Sequence, residues 1–350
     1  PGPEELTTFT HGYGGSAECL WRPAPPSTIA MTPPTAVFMI VNEVSMPFNP
    51  DSHLHAEVAS QPSDWEAVTA RLPEFESILP SRGARVAVLG SGTSYFMAQA
   101  YAARRELSGN GETDAFAASE HRLSRGYDAV VVISRSGTTT EAIDVLTFLQ
   151  ARDIPTTAIV ATPDTPVARL ATHAIVLPEV DERSVVQTRF ATSTLALLRA
   201  SLGDDLATAI EDARAVLGED EADCLAGVAR AEQLTFLGRA WTVGLAEEAG
   251  LKLRESAQFW TEAYPAMEYR HGPVSIASSG RAVWALGDVP DGLEAQVAAT
   301  GAHFEHRNID PLAELVRVHR LCLLKAREAD LDPDHPRHLT RSVILAPDED

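Results

Sequence analysis

The sequence contains little cysteine, few basic residues and no long apolar run. Its three cysteines, Cys19, Cys224 and Cys322, are too few and too scattered for a disulfide framework or a zinc site, so we expect no metal and a reducing, cytoplasmic setting. With 28 basic residues against 49 acidic ones, the net charge of −21 argues against nucleic acid or an anionic membrane as partner. No stretch approaches the roughly 20 apolar residues of a membrane helix, and no signal-peptide pattern occurs.

Length and composition predict two domains behind a proline-rich arm. A chain of 350 residues exceeds one ordinary domain. Residues 1–52 are rich in proline, glycine, serine and threonine, which predicts an arm with little regular structure. The acidic segment GEDEAD, which begins at Gly218, marks the predicted boundary between a first domain at 53–217 and a second at 218–350.

One predicted strand-to-helix bend has the chemistry of an anion site. Ala129–Ile133 is typical of a strand buried on both faces of a parallel sheet, and a turn from Ser134 to Gly137 follows. Thr138 and Glu141 match the capping box that begins a helix. Unpaired amides at a helix N-terminus attract anions, and nearby hydroxyls can orient an anion's oxygens. The alternative is that the bend is an ordinary capped turn of an α/β protein with no ligand-binding role.

A second bend of the same kind lies earlier in the chain. A predicted strand, Arg85–Leu89, leads into GSGTSY at residues 90–95 and then into an alanine-rich helix. Gly-x-Gly after a strand is half of a dinucleotide fingerprint. The sixth position is Tyr95, however, and no acidic residue stands out at the end of a second strand. The bend is therefore interpreted as a second hydroxyl-rich turn that binds no NAD, and no cofactor is expected.

The remaining pattern alternates strands and helices, which predicts an α/β fold with doubly wound, mainly parallel sheets and ligands at the carboxyl ends of the strands. Further strands are predicted at 113–117, 156–161, 174–177, 235–238 and 282–286, and helices at 182–202, 204–217, 245–260, 292–304 and 312–329. A loop is predicted to carry Glu262, Tyr264, Glu268 and His271.

Four segments, in their order and spacing, resemble the SIS (sugar isomerase) family. Within it they resemble the isomerase half of glucosamine-6-phosphate synthase and the related amino-sugar-phosphate deaminases and isomerases. The segments are LGSGTSY at 89–95, ISRSGTT at 133–139, LKLRE at 251–255 with EAY at 262–264 and RHGP at 270–273, and PRHL at 336–339. The resemblance covers about residues 53–345 and implies two tandem SIS domains.

The resemblance also implies roles for individual residues. The phosphate of a sugar substrate would be held by Thr93, Ser94, Ser134, Arg135, Ser136 and Thr139. Glu255 would move a proton between C1 and C2 of the open-chain sugar, beside Lys252. His271 would assist ring opening from a neighbouring subunit, so a homodimer is implied. Further candidate substrate contacts are Gly92, Val185, Gln187 and Arg341.

The residue types suit this chemistry. A C–H next to a carbonyl or imine is acidic enough for one carboxylate to move its proton through an enediol or enolamine, with no redox cofactor. Lys252 and Glu255 are three residues apart and thus share one face of a helix. The alternative for this pair is a solvent-exposed salt bridge worth about 0.3 kcal/mol.

Two departures from the synthase narrow the expected reaction. The first 50 residues do not resemble a glutaminase, so glutamine-dependent synthesis is not expected. Arg341 stands where the synthase has an imine-forming lysine, and arginine stays protonated and cannot form that imine. Isomerisation remains, or hydrolytic loss of ammonia from a 2-imino sugar.

Three functions are therefore considered. The first is a deaminase of an amino sugar 6-phosphate of the glucosamine-6-phosphate type. The second is a ketose/aldose phosphate isomerase or a ketosamine-6-phosphate deglycase. The third is a non-catalytic, sugar-phosphate-binding regulator, which the missing helix-turn-helix segment and basic face disfavour.

Overall fold

The computed structural model describes residues 51–345, so nearly all of the predicted arm at 1–52 lies outside the described residues. Within this part the strands are β1 Val86–Gly90, β2 Thr113–Ala117, β3 Ala129–Ile133, β4 Thr156–Val160, β5 His173–Val176, β6 Gln233–Gly238, β7 Thr261–Pro265, β8 Arg281–Leu286 and β9 His303–Glu305. The α-helices are α1 His53–Ala70, α2 Leu72–Phe75, α3 Thr93–Leu107, α4 Thr140–Gln150, α5 Pro166–Leu170, α6 Arg189–Ser201, α7 Ala207–Gly218, α8 Glu221–Cys224, α9 Thr242–Ala257, α10 Leu293–Ala298 and α11 Pro311–Glu328. Short 3-10 helices lie at Ala118–Glu120, Leu123–Arg125, Pro178–Val180, Glu268–His271 and Pro273–Ile276. None of the described helices combines the length and apolar character needed to cross a membrane.

The strands form two parallel sheets that are wound in the same way. The first has the order β2-β1-β3-β4-β5, and the second has the order β7-β6-β8-β9. Every strand pairing is parallel. In each sheet the first strand lies between the second and third strands, so the winding reverses direction beside it, and ligands bind at such switch points. The predicted α/β class with parallel sheets is confirmed.

One continuous core lies between the two sheets. It joins Val88 and Ile133 on the first sheet to Phe236 and Trp284 on the second through α1, α3, α6, α7, α9 and α11. The outer face of the first sheet packs on α4 and α5, and that of the second packs on α10. The two halves are thus held together by shared apolar packing. The division at residues 217 and 218 stays a prediction.

Glycine ends the first strand of each sheet, where the following helix begins at once. A Cβ added at Gly90 would lie 2.5 Å from the backbone carbon of Ser94, and one at Gly238 would lie 2.2 Å from the carbonyl oxygen of Thr242. No other residue fits so close to the first helical turn. A third glycine, Gly244, lets helix α9 of the second half pack closely on helix α3 of the first half. A Cβ at Gly244 would lie 2.4 Å from the carbonyl oxygen of Phe96 in α3.

Three predicted elements in the later part of the chain were wrong. The helix expected from residue 182 begins only at Arg189, because the Glu182 carboxylate turns back and accepts the amides of Thr188 at 2.5 Å and Arg189 at 2.8 Å. The loop expected after α9 contains β7, which pairs with β6. The helix expected at 292–304 ends at Ala298, and β9 follows it.

Candidate functional site

A cavity of about 200 Å³ opens at the carboxyl ends of β1 and β3, the switch point of the first sheet. The turn after β1 contributes Ser91 and Gly92, and the turn after β3 contributes Ser134 and Ser136. Helix α9 of the second half reaches the same cavity because it packs against α3. The site therefore combines turns of one sheet with a helix that follows a strand of the other.

The structure brings together all but one of the site residues predicted from the sequence. The cavity is lined by Gly92, Thr93, Ser94, Ser134, Arg135, Ser136, Thr139, Val185, Gln187, Lys252, Glu255 and Arg341. The exception is His271, which lies exposed at the end of the 3-10 helix Glu268–His271 and does not line the cavity. Its role from a neighbouring subunit stays a prediction, as do the individual roles of the other residues.

Hydroxyl groups dominate the edge of the cavity that is formed by the turn into α4. We call Ser134, Ser136, Thr138 and Thr139 the hydroxyl cluster. The Ser134 hydroxyl is buried and has no hydrogen-bond partner among the described residues. The N-cap of α4 is Thr139 and its side chain makes no capping bond, so the predicted capping box of Thr138 and Glu141 was wrong. The hydroxyl of Thr139 therefore does not cap α4, and the hydroxyl of Ser134 is available to a ligand.

Arg135 lines the cavity, and both terminal nitrogens of its guanidinium group bond to neighbouring protein, whereas Nε has no partner among the described residues. Nη1 donates to the Glu182 carboxylate and the Ser184 carbonyl, each at 3.2 Å, and Nη2 donates to the Val185 carbonyl at 3.0 Å. Both Arg135 and Glu182 are buried. The side chain therefore orients the segment that carries Val185 and Gln187, and the hydrogen bonds it makes give no support to its predicted phosphate contact.

A second buried carboxylate holds the same segment from the other side. Glu57 of α1 accepts the backbone amides of Arg183 at 2.6 Å and Ser184 at 3.3 Å, and it also accepts the Ser184 hydroxyl. Gln187, at the end of this segment, places a buried side-chain nitrogen at the cavity with no partner among the described residues. The segment is thus fixed while one of its donors remains available.

Three charged side chains lie along one face of α9. The Lys252 ammonium contacts the Glu255 carboxylate and lies 3.6 Å from the Glu248 carboxylate. The side chains of Lys252 and Glu248 are 1% exposed, whereas that of Glu255 is 20% exposed and faces the cavity. Glu255 is therefore the most exposed of the three, Lys252 lines the cavity beside it, and Glu248 does not line the cavity.

The sequence interpretation missed Glu248, although its spacing from Lys252 and Glu255 could have identified it. It precedes Lys252 by four residues and Glu255 by seven, which places all three on one helical face. Burial raises the pKa of Glu248 to about 8, against the opposing effect of Lys252. Burial alone would lower the pKa of Lys252, but the carboxylates of Glu248 and Glu255 outweigh it and raise that pKa. The lysine therefore stays protonated and holds the Glu255 carboxylate in place.

The C-terminal segment closes another side of the cavity. Leu339, Thr340, Arg341, Ser342 and Val343 all line it. The Arg341 guanidinium bonds to the Glu182 carbonyl and pairs with the Asp181 carboxylate. All three cations that line the cavity within the described residues, Arg135, Lys252 and Arg341, thus already have protein carboxylates as partners. An anion would be bound mainly by neutral hydroxyls and amides.

A hydroxyl-lined cavity at the switch point of a doubly wound sheet places the chain among open-sheet α/β proteins that bind ligands at strand ends. Residues 78–202 match the family model of the SIS domain, and this part of the chain is an SIS domain. The second sheet lies outside the matched residues.

Relatives by sequence are isomerizing glutamine–fructose-6-phosphate aminotransferases. The protein of Sulfurisphaera tokodaii is 23% identical over 301 residues, which is 75% of this chain and 50% of that protein. That of Oceanobacillus iheyensis is 26% identical over 310 residues, 75% of this chain and 51% of that protein. The chain thus spans about half the length of the curated relatives it matches.

Solved structures share the fold. Glucosamine-6-phosphate deaminase from Thermotoga maritima superimposes with a TM-score of 0.71 at 22% identity, covering 84% of this chain and 100% of that one. Tagatose-6-phosphate ketose/aldose isomerase from Escherichia coli gives 0.67 at 16% identity, covering 87% and 100%. At these identities the likeness shows a shared fold.

Proposed function

We propose that this chain is an amino-sugar-phosphate deaminase that acts on an open-chain hexosamine 6-phosphate of the glucosamine type, and that its second sheet belongs to a second SIS domain. The observation that carries the proposal is the joint presence, in one cavity, of three members of the hydroxyl cluster and the Lys252–Glu255 pair. The three members are Ser134, Ser136 and Thr139. The hydroxyls would bind the phosphate, while Glu255 would reach the carbons at the other end of the sugar.

In the proposed reaction Glu255 takes the proton from C2 of the open-chain aldehyde. The electron pair forms an enolamine whose C1 oxygen takes a proton from solvent. The carboxyl returns its proton to C1 and the nitrogen gives a proton to solvent, which leaves a hydroxyl on C1 and an imine at C2. Water adds to the imine carbon and ammonia departs, so amino sugar phosphate and water give ketose phosphate and ammonia. The Lys252 ammonium would stabilise the negative charge that develops on the C1 oxygen.

Arg341 supports hydrolysis over transfer of nitrogen to a ketose. Covalent transfer would need a neutral amine at this place, and the guanidinium is protonated and paired with Asp181. The isomerase reaction uses the same proton transfer on a sugar without nitrogen. It is distinguished by its products, because it releases no ammonia.

The test is to incubate the full chain with glucosamine 6-phosphate and measure ammonia and ketose phosphate. We expect both in equal amounts, and a loss of activity of about 10²–10⁴-fold in Glu255→Gln because the proton carrier is removed. Glu247→Gln, a matched change on the same helix at a residue that does not line the cavity, should leave the rate unchanged. Ketose formation without ammonia from hexose 6-phosphates would favour the isomerase, and an inert wild-type chain would refute catalysis.

We further propose a homodimer in which His271 of one subunit assists ring opening in the cavity of its partner. The exposed position of His271, outside its own cavity, supports this arrangement. Co-refolding equal amounts of the inactive variants Glu255→Gln and His271→Ala should restore about a quarter of wild-type activity, since half of the dimers are mixed and each has one complete site. Absence of recovery in mixed dimers would place His271 outside the site.

A further inference from the structure

The hydroxyl of Ser342 lies inside the hydroxyl cluster. Its Oγ is 3.1 Å from Ser136 Oγ, 3.0 Å from Thr138 Oγ1 and 3.4 Å from Thr139 Oγ1. Three hydroxyls that converge on one oxygen form the environment that an oxygen of a bound phosphate would require. In this structure the oxygen at the centre of the three hydroxyls is Oγ of Ser342.

The backbone beside Ser342 occupies the start of α4 as well. The amide of Thr140, in the first turn, donates to the Val343 carbonyl at 3.2 Å, and the amide of Leu345 donates to the Thr140 hydroxyl at 2.9 Å. First-turn amides are the groups that a helix offers to an anion. Hydroxyl and amide donors are therefore engaged together by one short segment.

We propose that residues 342–345, which we call the tail segment, plug the phosphate position, and that phosphate binds by displacing them. The Ser342 hydroxyl and the Val343 carbonyl would fill that position until a phosphate arrives. The inference depends on the proposed function only for the location of the phosphate.

The contacts of the tail segment favour displacement. Val343, Ile344 and Leu345 are 53%, 70% and 57% exposed, so little buried apolar surface holds this end in place. Hydrogen bonds to a charged phosphate are about twice as strong as those between neutral groups. Upstream, the Arg341–Asp181 ion pair and the bond from the Val185 amide to the Asp334 carbonyl keep the chain anchored. Residues 342–345 can leave while the preceding residues stay attached.

If the tail segment were instead a lid that closes over bound phosphate, removing Ser342 would change the phosphate affinity in the opposite direction. In a lid, Ser342 would be an additional phosphate donor, and its removal would weaken binding. In a plug, Ser342 competes with phosphate, and its removal strengthens binding. The sign of one substitution therefore decides between them.

The experiment is calorimetric titration of the full chain and Ser342→Ala with inorganic phosphate. We expect the Kd of the variant to be about fivefold lower, because the competing hydroxyl bonds are gone. Ser63→Ala, which removes an exposed hydroxyl from α1, is the matched control and should leave the Kd unchanged. An unchanged or higher Kd in Ser342→Ala overturns the proposal, as does a failure of both proteins to bind phosphate.

Hydrogen exchange provides a second readout that does not involve catalysis. Saturating phosphate should speed exchange in the peptide that contains Leu345, whose amide loses the Thr140 hydroxyl, and slower exchange there would identify a lid. The outcomes are independent of the proposed reaction. Ammonia release with an unchanged phosphate Kd in Ser342→Ala would leave the deaminase standing and remove the plug, and tighter phosphate binding without ammonia release would do the reverse.

Discussion

The first strand-to-helix turn of each sheet shares one close backbone contact and differs in chemistry. Both turns begin with a glycine, Gly90 or Gly238, that the next helical turn contacts too closely for a side chain. After Gly90, the residues Thr93 and Ser94 open onto the cavity. After Gly238, the Thr242 hydroxyl is used internally, since it accepts the Arg239 amide at 2.8 Å and donates to the Leu286 carbonyl at 2.7 Å.

This difference shows where ligand chemistry resides in a repeated architecture. The repeat preserves the close contact at the glycine, because that contact is what lets a strand lead into a helix within a few residues. The side chains of the turn are free to take either role. The second half contributes to the site from the middle of its helix, through Lys252 and Glu255, and not from its turn.

Replacing the hydroxyl at the second turn should produce the largest change in stability. In Thr242→Val the Arg239 amide and the Leu286 carbonyl lose their buried partner, which costs about 2 kcal/mol of unfolding free energy. Urea denaturation measures this, and phosphate affinity should be unchanged. A weaker phosphate affinity in this variant would mean that the second turn also binds ligand.

Replacing a hydroxyl in the turn after β3 of the first sheet should weaken phosphate binding without reducing stability. Ser134→Ala removes a buried hydroxyl that has no partner within the described residues, so stability should be equal or slightly higher. The Kd for inorganic phosphate should rise about tenfold, because a hydrogen bond to a charged group is lost. A destabilised variant with normal phosphate binding would assign Ser134 to structure alone.

A smaller, pH-dependent change in the free energy of unfolding is expected from a buried histidine, His319 of α11. Burial, helped by Lys252, lowers the pKa of His319 to about 3, and its Nδ1 lies 3.1 Å from the Gln61 amide of α1. A lowered folded-state pKa gives stability that is present above the unfolded pKa of about 6.5 and is lost as the pH falls toward 3. Wild type should lose about 1 kcal/mol more than His319→Gln between pH 7.5 and 5.5. Equal losses would exclude His319 as the cause.

Local signals in the sequence predicted most of the parallel strands and the two hydroxyl-rich turns of the cavity, and the resemblance to the SIS family implied the other predicted cavity residues. Strands such as β3 are apolar runs, and the turns after them carry the hydroxyls, so periodicity and composition suffice. The strand β7, read from TEAYP, was missed because its polar, half-exposed residues lack such a run. Its strand character comes from pairing with β6, which a single segment does not encode.

Long-range contacts explain the remaining differences. The start of α4 is satisfied by Val343, about 200 residues away, which is why the predicted capping box is not formed. The phosphate contact predicted for Arg135 stays a prediction, and the fold adds what the turn alone does not show, the bonds from its guanidinium group to Glu182 and the Val185 carbonyl. The sequence shows which side chains can bind; their existing partners are set by tertiary structure.

The most direct test of the proposed chemistry follows the hydrogen on C2. Glucosamine 6-phosphate deuterated at C2 should lose that deuterium as ammonia forms, and the label should appear at C1 of the ketose phosphate or in the solvent. Glu255→Gln should release neither deuterium nor ammonia at a comparable rate. Ammonia release that leaves an aldose product with its deuterium still on C2 would contradict proton transfer by Glu255.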